Sequence, residues 1–173
     1  MQRCPEAEVE GIDIDEAAVE QARENGVNAF VSSLQEWQGS YDLIVSNPPY
    51  FQNSLKNPDE GRKAARHTDT LSYAELIHHS ARLLTERGQL ALILPAEAEN
   101  EIRQLAAVEN LFLTHVTRVY SKENKKPKRV LLAFEKLKIK NYELKISEDT
   151  LILEDEKGGR SLPYQELCKE FYL

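Results

Sequence analysis

Residues 46–51 read Ser-Asn-Pro-Pro-Tyr-Phe and follow directly on the apolar run 41–45 (YDLIV). Each proline fixes its own φ and pushes the residue before it out of the helical region, so this is a stiff, extended segment at the end of a strand. The prolines also lack backbone N–H groups, which leaves carbonyls as the hydrogen-bonding atoms. The Asn47 side-chain oxygen and the Pro48 carbonyl are thus suited to accept both N–H bonds of one planar amine, with Tyr50 placed to stack on the ring that carries it. An aromatic or amide amine is a poor nucleophile because its lone pair is conjugated. Acceptors lying out of its plane favour the tetrahedral nitrogen formed as it attacks a methyl group, and so act more strongly on the transition state than on the ground state. No general base of the usual kind is needed. A plain turn would explain Pro48, and a packed aromatic Tyr50, but not Asn, Pro, Pro and Tyr in that order at a strand's end.

A second group is Asp13 and Asp15, at the end of an apolar run at 9–14 (VEGIDI) and just before a helical pattern. A carboxylate in this place accepts both hydroxyls of a ribose, as in nucleotide-binding α/β folds. Asp13 is the candidate for that role. Asp15 is better read as the cap of the following helix. This motif is common and carries little weight alone.

The elements that must position these residues are legible in the patterning. Residues 9–14 read as a strand, 16–25 as a helix stopped by Gly26, and 29–31 and 41–45 as strands, the last of them apolar enough to be covered on both faces of a parallel sheet. A long polar stretch at 52–69 suggests a functional segment rather than a passive connection. Residues 72–87 read as a helix with a Ser72–Glu75 capping box and Gly88 as its stop. A strand at 89–94, a helix at 97–111 and strands at 112–120 and 130–135 follow. The end of the chain reads as a hairpin (YELKIS, TLILED), a GGR turn and a closing helix at 164–173. Strands alternating with helices over the first 110 residues predict an α/β, doubly wound, mostly parallel sheet, with an antiparallel pair at one edge.

The composition, 41% hydrophobic and 29% charged over 173 residues, fits one soluble globular domain. Cys4 and Cys168 lie in no metal or redox spacing, and no apolar run is long enough to span a bilayer, so the expectation is a cytoplasmic protein without structural metal. The net charge of −7 argues against a nucleic-acid partner until its distribution is examined. Residues 118–145 hold ten basic residues against three acidic ones. An acidic total thus hides a basic segment, which on its own fits a solvated face as well as an anionic partner.

At Asn47-Pro48-Pro49-Tyr50 the sequence resembles the class I, S-adenosylmethionine-dependent amino methyltransferases, which act on adenine N6, guanine N2 or glutamine amides. The continuation narrows this. Tyr50-Phe51, the run RKAARHTDTLSYAELI at 62–77, KPKRVLLAFEK at 126–136 and the terminal EFYL resemble the bacterial tRNA1(Val) adenine-37 N6-methyltransferase family over nearly the whole chain. The resemblance implies a Rossmann-like methyltransferase domain over residues 1–136 and a C-terminal extension over 137–173. It implies that Asp13 holds the ribose of S-adenosylmethionine, that Ser33 and Leu34 stand near its adenine, and that Asn47 and Pro48 take the target amine with Tyr50 on the flipped base. A tRNA substrate needs cations around the pocket. Arg62, Lys63 and Arg66, with Phe51, and then Lys125, Lys126, Lys128 and Arg129, are the expected RNA contacts, on loops that share the catalytic rim. His67 is better read as a loop residue than as a base, and His78 and His79 as helix-surface residues.

The family also has a first strand and a glycine-rich loop. The seven glycines here include no G-x-G-x-G run, so the reading expects a chain that lacks both and binds cofactor weakly by itself. A monomer is expected. The rival readings are a protein-glutamine N5-methyltransferase using the same clamp, and a non-catalytic RNA-binding fragment. A DNA adenine methyltransferase is disfavoured, since no separate target-recognition domain is visible.

Overall fold

The computed structural model describes residues 4–48, 71–136 and 145–170. The chain divides into two compact units, Met1–Gly39 and Ser40–Leu173.

The first unit holds β1 (Glu10–Asp13), α1 (Glu16–Glu24) and β2 (Asn28–Val31), with the two strands parallel and Asp13 opposite Val31. Asp15 caps α1 as expected, its carboxylate accepting the Ala17 N–H at 2.9 Å. Gly26 takes φ +78°, a left-handed conformation that glycine adopts without strain, and so ends the helix. The Arg23 Nε donates to the Ala29 carbonyl at 2.7 Å, fastening α1 to β2 beside the buried Val19 and Ala29.

The second unit is built on a five-stranded sheet of order β3-β4-β6-β5-β7, formed by β3 (Tyr41–Ser46), β4 (Leu84–Pro95), β5 (Leu111–Tyr120), β6 (Arg129–Lys136) and β7 (Ser147–Ile152). Helices α2 (Tyr73–Leu83), α3 (Glu99–Val108) and α4 (Leu162–Cys168) complete the unit, with a 3-10 turn at Ala96–Ala98 leading into α3. Leu90, Leu92 and Leu94 of β4 and Val130, Leu132 and Phe134 of β6 are all buried, the period-two pattern of one core face. The expected doubly wound class holds. The antiparallel strand, however, is β6, and it lies between β4 and β5 rather than at the edge, which belongs to β7, parallel to β5.

Three further expectations are corrected. The helix at 72–87 begins with the predicted capping box, Ser72 Oγ accepting from the Glu75 N–H and Glu75 accepting from the Ser72 N–H, but it ends at Leu83. Lys136 Nζ, reaching over from β6, donates to the Ala81 and Leu84 carbonyls at 2.7 and 3.1 Å, so a cation from a distant strand satisfies the helix end. The expected hairpin turn near Glu148 and Asp149 is instead the middle of β7. Glu148 meets the Arg118 guanidinium at 2.7 Å and Asp149 lies 3.4 Å from His115, which holds both acids across from β5. Finally, β3 is covered on one face only. Ile44 sits beside buried Leu90, whereas Leu43 and Val45, on the opposite face, are 56% and 66% exposed.

Gly88 has a different task from stopping a helix. A Cβ there would stand 2.9 Å from the Tyr41 carbonyl oxygen and 2.9 Å from Leu84 Cδ2, at the irregular join of β3 and β4. Gly88→Ala is therefore expected to destabilise the fold by about 1–3 kcal/mol, read as a lower urea midpoint. An unchanged midpoint would show that the strands part to admit the methyl.

Candidate active site

In the second unit, strand register decides what meets at the carboxyl ends. Ser46 pairs with Leu92 and Pro95 pairs with Arg129, so β3 and β4 finish at the edge where the antiparallel β6 begins. Exposed Asn47 and buried Pro48 follow β3 there. The basic loop at 121–128, between β5 and β6, opens on the same edge. Its base is closed by Lys128 N–H to the Val119 carbonyl at 2.9 Å, and by Ala96 N–H to the Lys128 carbonyl at 3.3 Å. Lys122, Lys125, Lys126 and Lys128 are exposed on it, while Arg129 is half-buried and donates to the Lys128 carbonyl at 3.2 Å. With β6 two places from β3, the loop stands about 10 Å from Asn47 at about 4.8 Å per strand. Asn47, Pro48 and Lys125 to Arg129 are thus brought to one rim, as the sequence predicts.

Pro49, Tyr50, Phe51, Arg62, Lys63, Arg66 and His67, and the polar stretch at 52–69, lie outside the described residues.

In the first unit, Asp13 is exposed at the end of β1. Its Oδ1 accepts the Asp15 N–H at 2.9 Å, and its carbonyl accepts the Ser32 N–H at 3.0 Å. Oδ2 makes no hydrogen bond among the described residues, so the carboxylate is oriented by one oxygen and offers the other. That suits a ribose hydroxyl. Ser33 follows β2 at the same end of this small sheet and opens a turn, its hydroxyl accepting the Glu36 N–H at 3.3 Å and its carbonyl the Trp37 N–H at 3.1 Å. The Phe30 and Trp37 rings, 5.2 Å apart, pack beneath this turn's ends.

Other titratable groups serve the scaffold. Arg118 spans Glu148 of β7 and Glu99 of α3, at 2.7 and 3.1 Å, and the Glu148 hydrogen bond foremost holds its guanidinium in the charged form. His78 Nδ1 lies 2.9 Å from Glu109, linking α2 to the end of α3. Burial first, then the neighbouring His78 and Arg82, lower the pKa of His79. Among the described residues no group of three His, Cys, Asp or Glu is arranged to hold a metal, and no helix is long and apolar enough to cross a membrane.

Sequence reasoning passed over one part of the rim. Because β7 is parallel to β5, the connection after it also arrives at this edge and brings Lys157 and Arg160 with it. The parallel pairing is the only signal, and no local pattern carries it.

A profile of the Eco57I restriction-modification methylase family matches residues 12–122. The tRNA1(Val) (adenine(37)-N6)-methyltransferase of Phocaeicola vulgatus is 38% identical, with 99% of this chain and 75% of that protein aligned. The protein of the same name from Porphyromonas gingivalis is 37% identical over 99% of this chain and 72% of its own length. Among solved structures, a predicted O-methyltransferase from Agrobacterium tumefaciens superposes with a TM-score of 0.69 at 14% identity, covering 94% of this chain and 77% of that one. A class I S-adenosylmethionine-dependent methyltransferase from Listeria monocytogenes gives 0.60 at 14% identity, over 91% and 55%. The two structures speak to the fold, and the two sequences, alike over nearly the full chain, to something narrower: this chain belongs to the tRNA1(Val) (adenine(37)-N6)-methyltransferase family.

Proposed function

We propose that the chain methylates the exocyclic N6 amine of adenine 37 in tRNA1(Val), with S-adenosylmethionine as methyl donor, acting as a cytoplasmic monomer without a metal. The observation that carries this reading is the shared rim, where Asn47 and Pro48 end β3 on the same edge as the exposed basic loop. When bound, S-adenosylmethionine supplies an electrophilic methyl group. Asp13 holds the ribose hydroxyls through its open oxygen, and the turn at Ser33 and Leu34 borders the adenine. The Asn47 side-chain oxygen and the Pro48 carbonyl accept the two N–H bonds of the target amine. The nitrogen that takes the methyl group, as the donor's sulfur–methyl bond breaks and the sulfonium leaves as a neutral thioether, would be tetrahedral and cationic, and both acceptors would stabilise that charge until one proton leaves to solvent. Tyr50 and Phe51 contact the flipped base. Arg62, Lys63 and Arg66 from one loop, and Lys125, Lys126, Lys128 and Arg129 from the other, hold the RNA backbone.

Nucleoside mass spectrometry of bulk tRNA from cells with and without the gene tests this directly. N6-methyladenosine is expected to disappear from the deletion strain. Unchanged tRNA would transfer the clamp to another amine, first a protein glutamine amide, or remove the chemistry altogether. In vitro, charge reversal at Lys126 and Lys128 together is expected to abolish methylation at moderate salt. It should also lower the slope of log affinity against log salt by about two, one per lost phosphate contact. A tRNA affinity indifferent to both salt and charge reversal would rule out the basic loop as the RNA contact.

A further inference from the structure

The connection after β7 is built as a rigid projection beside the basic loop. Ile152 pairs with Tyr120, and the ladder runs on past the strand ends, Leu153 N–H donating to the Tyr120 carbonyl at 2.9 Å and Glu154 N–H to the Ser121 carbonyl at 3.0 Å. Glu154 then meets Lys122 of the basic loop at 3.4 Å. Asp155 organises the turn that follows. Its N–H donates to the Gly159 carbonyl at 2.8 Å, and its Oδ1 accepts the Lys157 and Gly159 N–H groups at 2.9 and 2.8 Å, with Gly158 at φ +83°. The base of the turn is closed by the Glu154–Arg160 bridge and by Ser161 N–H to the Leu153 carbonyl at 2.9 Å, after which Ser161 caps α4.

This arrangement sorts the charges. Two of the three carboxylates are engaged, Glu154 with a lysine and Asp155 with backbone N–H groups, while Glu156, exposed like Asp155, takes no part in holding the turn. Lys157 and Arg160 are both exposed, and the Arg160 guanidinium carbon lies 5.9 Å from the centroid of the Tyr164 ring, which steadies a long side chain at the surface. In sheet order β7 is four places from β3, about 19 Å at about 4.8 Å per strand. A cation there is too far from Asn47 to touch the target base, but it stands on the same edge of the sheet, within reach of the backbone on either side of that base.

We propose that the turn at 155–160 is a second RNA-backbone contact, in which Lys157 and Arg160 take phosphates flanking the target nucleotide and Lys122 joins the turn to the basic loop. Such contacts set affinity and orientation and carry no base preference. The inference rests on the RNA-substrate reading above, so its test has to separate the two.

Binding of a tRNA1(Val) transcript, followed by fluorescence anisotropy over a series of salt concentrations, does so. Lys157→Glu with Arg160→Glu is expected to weaken binding by about tenfold or more and to lower the salt slope by about two. Lys157→Arg with Arg160→Lys should bind like the parent. Glu156→Lys, which leaves the hydrogen bonds of the turn in place, should strengthen binding and steepen the slope by about one. If charge reversal at Lys126 and Lys128 weakens binding while neither the 157/160 reversal nor Glu156→Lys changes it, the turn is no RNA contact and the RNA reading stands. If none of these variants matters and salt has no effect, both fall. Weaker binding with an unchanged slope also overturns the proposal, since the turn would then act only through its packing.

Discussion

Replacing Asn47 with alanine is expected to slow methyl transfer by roughly 10²–10³-fold, the loss seen when one preorganised group facing developing charge is removed, equivalent to about 2.7–4 kcal/mol. The effect should appear in kcat for tRNA, with the affinity for S-adenosylmethionine nearly unchanged, because the acceptor acts on the amine and not on the donor. Single-turnover methylation combined with cofactor binding by calorimetry separates these quantities. A parallel loss of rate and cofactor affinity would sink the assignment of Asn47 to the amine.

Asp13→Ala is expected to show the opposite pattern. Loss of charge-assisted hydrogen bonds worth about 1.5–3 kcal/mol weakens cofactor binding by roughly 10–150-fold. The alanine also removes the acceptor that orients the Asp15 N–H at the start of α1, so a small loss of stability accompanies it. Asp13→Asn is the sharper variant, since it keeps an oxygen for the Asp15 N–H and replaces the charged acceptor offered to the ribose with a neutral N–H donor. Calorimetric titration with S-adenosylmethionine reads both variants. Binding by Asp13→Asn equal to that of the parent would refute the ribose role.

The parts of this protein that were legible in its sequence are those whose physics is contiguous. The place of Asn47 and Pro48 just past a strand's end could be read because two prolines cannot continue a ladder, whatever lies elsewhere in the chain. Ser72 and Glu75 could be read as a capping box for the same reason, and Asp15 as a cap. The errors arose where a distant residue decides a local outcome. Gly88 has the form of a helix stop, yet α2 ends five residues earlier, where Lys136, some fifty residues later, satisfies it, and Gly88 instead admits the backbone of β3. Glu148 and Asp149 look like turn residues, and become strand residues because Arg118 and His115 are waiting on β5. The exposure of Leu43 and Val45 could not be read from their run either, since one-sided and two-sided burial of a short apolar strand share a pattern. For the site, the register placed the basic loop beside Asn47 as expected. Lys157 and Arg160 were missed because only the parallel pairing of β7 brings them there.

One detail of the rim bears on how such an enzyme could change its substrate. The basic loop hangs from a closed base, Lys128 N–H on the Val119 carbonyl, and β4 separates its nearer arm, β6, from β3, the strand that Asn47 follows. Residues can be added to or exchanged in the loop at little cost in closure entropy, and without shifting the pairs Ser46–Leu92 or Pro95–Arg129. The loop and the strand end are therefore separately heritable: if they hold RNA and amine as proposed, a lineage could drift from one RNA to another by rewriting the tip of a hairpin while the strand end stays as it is.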